Sequence, residues 1–85
     1  MSLAPALRQF SQFKAQYPGF LLLFKMGDYY EAFHDDARTL SRVVGTSLTE
    51  SSGVPLAGVP VDAVETHLRK LIAAGHRVAL CEQAA

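Results

Sequence analysis

Tyr29 and Glu31 stand two positions apart in the run Met26-Gly27-Asp28-Tyr29-Tyr30-Glu31. An exposed aromatic ring can stack on something flat, and a carboxylate beside it can accept a hydrogen bond from what is stacked. Together they have the chemistry of reading an unpaired or badly paired base. The residues around them predict where they sit. Phe20 to Lys25 is apolar-rich and reads as a buried strand, Gly27 breaks it, and Asp28 is expected to cap a helix beginning at Tyr30. The pair would then mark a strand-to-helix junction.

Each of these residues also has a more ordinary reading. Tyr29 can be a partly buried tyrosine at a helix start, because aromatic rings usually serve packing. Glu31 can be a first-turn carboxylate favoured by the helix dipole. Met26, Gly27 and Asp28 are better suited to setting the geometry of the turn than to reading a base, although Gly27 would let backbone approach a ligand closely. Lys25, at the end of the strand, is the best candidate for a phosphate contact. His34, Asp35 and Asp36 with Glu31 could suggest a metal or nuclease site. Consecutive residues on a helix fan out by about 100° each, so no metal site is expected there. No catalytic pairing and no phosphate loop is visible.

The elements that must position these side chains follow from the hydrophobic pattern. Leu3, Leu7, Phe10, Phe13 and Tyr17 recur at helical spacing, with Pro5 in the first turn and Pro18-Gly19 ending the helix. Tyr30, Phe33, Ala37, Leu40 and Val44 predict one face of a second helix, stopped by Gly45. Thr46 to Thr49 and Val54 to Val59 predict two short strands around the turn Glu50-Ser51-Ser52-Gly53, and Pro55 makes the second an edge or irregular strand. Asp62 and Glu65 resemble a capping box for a third helix through Val64, Leu68, Leu71 and Ile72, ended by Gly75. Arg77 to Glu82 reads as the last strand. The expected fold class is α/β, a small mixed sheet flanked by about three helices.

Composition narrows the function. The 85 residues suit one domain, residues 1–85, and hold eight basic and eight acidic side chains. A domain gripping DNA alone should be basic, since neutralising phosphates supplies most non-specific affinity. This chain either does not bind DNA or supplies a local contact while other domains supply the grip. No stretch reaches the roughly 18–20 apolar residues of a membrane span, so no membrane partner is expected. Cys81 is the single cysteine, which suits a reducing cytoplasm and reads as a small buried hydrophobe.

Four ordered blocks carry a resemblance across about Leu7 to Gln83. They are Met26 to Phe33, Leu48-Thr49, Pro55-Leu56-Ala57-Gly58-Val59-Pro60 with Ala63-Val64-Glu65, and Val78-Ala79-Leu80-Cys81-Glu82-Gln83. Together they are similar to the N-terminal mismatch-recognition domain of the MutS family of DNA mismatch repair proteins. The usual pattern there is Gly-Asp-Phe-Tyr-Glu, so Tyr29 stands where the family has Phe.

The resemblance implies a DNA-binding role for Tyr29 as a minor-groove wedge, with Glu31 hydrogen-bonding the stacked base and Met26, Gly27, Asp28 and Lys25 nearby. It implies double-stranded DNA with mismatches or small loops as the ligand, and other MutS domains and a second MutS subunit as partners. It implies no cofactor in this domain, with ATP and Mg2+ used elsewhere in the full-length protein, and a cytoplasmic, nucleoid-associated location if bacterial. Family members continue with further strands, so this chain looks like part of a longer protein. The alternative is a divergent paralogue in which the domain is mainly a protein-interaction or scaffold element.

Overall fold

The computed structural model describes residues 4–82. Three α-helices and five strands follow in this order along the chain: α1 Ala4–Gln16, β1 Phe20–Met26, β2 Tyr29–Phe33, α2 His34–Val44, β3 Thr49–Ser51, β4 Val54–Pro60, α3 Val64–Ala73 and β5 Arg77–Glu82. A 3-10 turn, Val61–Ala63, leads into α3. The strands form one sheet in the order β3-β4-β2-β1-β5. Only β1 and β5 run parallel, and the other pairs are antiparallel, so the expected mixed α/β sheet is present.

The sheet separates two apolar layers. On one face Leu21, Leu23, Tyr30, Ala32, Ala57 and Val59 pack with Ala37 and Leu40 of α2 and Leu71 of α3. On the other, Leu22, Phe24, Phe33 and Cys81 pack under Ala6 and Phe10 of α1. Phe10 meets Phe33 edge-on at 5.1 Å between ring centroids. β1 is buried from both sides, which is why its sequence is an apolar run and not an alternation. Cys81 is free and buried, and burial pushes its thiol above its ordinary value.

The segment from Asp28 to Phe33 differs from expectation. Asp28 caps no helix, and the helix begins at His34 and not at Tyr30. Gly27 and Asp28 form a two-residue hairpin turn, closed by the pairing of Met26 with Tyr29. Gly27 has φ +62°, and no positive φ occurs at Asp28. That combination fits a type II′ turn, whose first central residue is glycine. The difference arises because Tyr30, Phe33 and Ala37 fit a helical stripe, although five residues are too few to separate the two periods. Tyr30 is core, as expected, but it lies on the opposite face of the sheet from Phe33.

Three smaller differences share that local character. β3 occupies Thr49–Ser51 and not Thr46 to Thr49, so the turn shrinks to Ser52-Gly53. α3 has no side-chain cap from Asp62; Ala63 precedes it, and Val61 donates its N–H to the Asp28 carbonyl at 2.8 Å. Pro55 lies inside β4 but past the end of β2, where the strand has one neighbour, β3. A missing N–H is harmless there. Leu3 and Gln83 lie outside the described residues.

Candidate nucleic-acid interface

β2 is the middle strand of the sheet, and its alternation decides the site. Tyr29, Glu31 and Phe33 share one face, while Tyr30 and Ala32 point into the core beneath α2 and α3. Phe33 lies under α1; farther along the same face, Tyr29 is 47% exposed. The two candidate side chains therefore sit side by side, roughly 7 Å apart along the strand. The extended backbone brings them together, not the helix start that the sequence suggested.

Two shallow grooves flank Tyr29. One, of about 340 Å³, is lined by Tyr29, Glu31, Thr46, Ser47, Thr49 and the β4 segment Leu56, Ala57 and Gly58. The other, of about 580 Å³, runs past the hairpin turn along Lys25, Gly27, Asp28, Pro60, Val61 and Asp62. Tyr29 is the ridge between them. The ionisable groups lining them are Lys25, Asp28, Glu31 and Asp62, one cation among carboxylates. Such a surface attracts no phosphate backbone by itself.

Glu31 lies opposite Gly58 of β4. Its carboxylate rests against the bare glycine backbone: a β-carbon built on Gly58 would stand 2.6 Å from Oε2. Partial burial raises the Glu31 pKa above its ordinary value, because desolvation penalises the charged form. Thr46 donates its hydroxyl to the Gly58 carbonyl at 2.8 Å, and Ser41 donates to the Thr46 carbonyl at 2.6 Å. Neither Gly58 nor Thr46 was singled out from sequence. The usable signal was a glycine inside a strand, which marks close approach by another group.

The remaining candidates divide. Met26, Gly27 and Asp28 form the hairpin end beside Tyr29. Lys25 is registered with Tyr30, so it belongs to the opposite face from Tyr29 and Glu31, although it reaches the edge of the second groove. Its ammonium lies 3.6 Å from Glu82. His34, Asp35 and Asp36 do not converge: Asp35 pairs with Arg38 at 2.9 Å, and Asp36 pairs with Lys14 at 3.0 Å.

Residues 4–85 match the family model described as MutS domain I. The chain belongs to the MutS domain I family. Relatives named DNA mismatch repair protein MutS include one from Thermotoga neapolitana, 45% identical over 83 residues, covering 98% of this chain and 10% of its own length. The protein of that name from Salinibacter ruber is 50% identical, covering 93% of this chain and 9% of its own. The one from Thermotoga maritima is 43% identical over 83 residues. The chain spans about a tenth of the length of these MutS relatives. Among the described residues, no helix is long and apolar enough to cross a membrane.

Proposed function

We propose that this chain is the mismatch-reading module of a longer MutS-like DNA repair protein. Tyr29 enters the minor groove and stacks on a mispaired base, and Glu31 hydrogen-bonds that base. The observation that carries the reading is the placement of an exposed Tyr29 ring and the Glu31 carboxylate on one face of the central strand. Unstacking a base step costs a few kcal/mol, and aromatic stacking returns about 1–3 kcal/mol per base. A mispaired step is already partly unstacked, so the balance favours insertion there. Tyr29 keeps the flat face of the family phenylalanine, and its hydroxyl requires a base-edge or water partner in the groove.

Glu31 works by discrimination. A carboxylate is repelled by the phosphates, so a favourable contact needs a donor: a base N–H, or a proton on the carboxyl group itself. Its raised pKa supports the second option. The zero net charge and the carboxylates beside Tyr29 support a division of labour, in which other domains and a second MutS subunit hold the duplex. The module itself is non-catalytic, and ATP with Mg2+ is used elsewhere in the intact protein.

The test is binding of the intact protein to mismatched and fully paired duplexes, with Tyr29→Phe and Tyr29→Ala variants. Loss of the mismatch preference in Tyr29→Ala, with Tyr29→Phe retaining it, supports the wedge. An unchanged preference in Tyr29→Ala removes it. The acidic surroundings of Tyr29 favour a second reading, a scaffold domain that docks protein; that result, with mismatch binding absent in wild type as well, would select it.

A further inference from the structure

Five of the six glycines have positive φ and open space where a side chain would be. Gly58 is different. It lies inside β4 without a positive φ, so backbone conformation does not require glycine there. A glycine inside a strand weakens it relative to alanine, so some other demand must be met. That demand is visible in the cross-strand pair: a β-carbon at Gly58 would stand 2.6 Å from Oε2, 2.8 Å from Cδ and 3.0 Å from Oε1 of Glu31. The Glu31 carboxyl group occupies the space that any other residue would fill.

The backbone beneath it is pinned. Gly45 ends α2 in a left-handed conformation, and the next residue, Thr46, donates its hydroxyl to the Gly58 carbonyl. Ser41, in the last turns of α2, in turn holds the Thr46 carbonyl. A chain of contacts thus runs from α2 to β4 and ends under the carboxylate.

We propose that Gly58, anchored by Thr46, is the positioning residue that holds the Glu31 carboxylate in the groove beside Tyr29 and so sets its contribution to mismatch preference. The proposal rests on the reading of Glu31 as the base-contacting carboxylate. Gly58→Ala would displace the far end of a flexible side chain, not backbone, so the strand should persist while the carboxylate swings away.

The experiment measures the ratio of mismatched to paired duplex binding for the intact protein as wild type, G58A, T46V, E31A, G58A/E31A and T46V/E31A, with thermal unfolding of each. E31A should lower the ratio by up to about tenfold, as expected for the loss of one hydrogen bond. G58A should lower it comparably, keep the unfolding midpoint near wild type, and add nothing in the E31A background. T46V should follow in the same direction with a smaller effect, also cancelled by E31A. A wild-type ratio in G58A beside a lowered ratio in E31A overturns the role of Gly58 and leaves Glu31 standing. A G58A effect that persists in full without Glu31, or early unfolding with loss of both duplexes, assigns Gly58 to structure alone. No change in E31A itself removes the Glu31 reading and the proposal with it.

Discussion

The backbone N–H of Leu22 donates to Asp36 Oδ2 at 3.0 Å, so a helix residue completes the hydrogen bonding of a buried strand. The β1–β2 ladder is registered only as far as Phe24 with Glu31, and β2 gives way to α2 at His34. Asp36 therefore takes a donor that lies beyond the end of the ladder, and Lys14 balances its charge from α1 at 3.0 Å. Removing the acceptor leaves a buried N–H without a partner. Asp36→Ala should destabilise the chain by about 1–3 kcal/mol, and Asp36→Asn, which keeps an acceptor oxygen, by less. Chemical denaturation gives the loss, and faster hydrogen exchange at Leu22 locates it.

Tyr29 should behave in the opposite way. At 47% exposure its ring contributes little to the core, so Tyr29→Ala should shift stability by no more than about 0.5 kcal/mol. Its mismatch preference in the intact protein should fall by about 10- to 100-fold, the equivalent of one lost stack. Folding measured beside duplex binding separates the two effects. A large stability loss would mean that the ring is packing and not reading.

Glu31 makes stability depend on pH. Its pKa is raised in the folded chain by burial, so the folded state holds the proton to higher pH than the unfolded state does. Protons are then released on unfolding, and stability falls as pH rises. The fall begins at the ordinary carboxylate value and is complete above the raised one. Glu31→Gln removes the ionisation and should be more stable than wild type at neutral pH, with the difference closing in acid. Paired denaturation curves across that range check the sign; a difference that widens in acid would contradict it.

Gly27 tests the hairpin. Its φ of +62° suits glycine, and nothing stands within 4 Å of the place a β-carbon would take, so the effect of Gly27→Ala is confined to the backbone. The substitution should cost about 1–2 kcal/mol. Denaturation midpoints of the variant measure it. A neutral result would imply a different turn conformation.

Much of this was legible in the residues. The apolar run of β1, the α1 stripe through Phe10 and Phe13, the Gly45 stop and the Arg77–Glu82 strand appear where expected. What failed was short-range. Asp62 and Glu65 have capping-box spacing, but the Val61 N–H is tied to Asp28 across the hairpin, and a 3-10 turn occupies the place of the cap. Tyr29 and Glu31 stand out by type, spacing and the family resemblance, and their shared face comes from β2 being a strand, a fact fixed by its pairing with β1 and β4. The Gly58 notch was not legible, because its meaning depends on which residue lies across the ladder.

Tyr29 is flanked by Met26 on one side and Pro60 on the other, in the middle strand of five. Most contact surfaces on flexible loops adapt to what they meet. The backbone that carries this one is paired on both sides. In the proposed complex the adaptation therefore falls to the nucleic acid, and the ring acts as a fixed gauge against which the softness of each base step is measured.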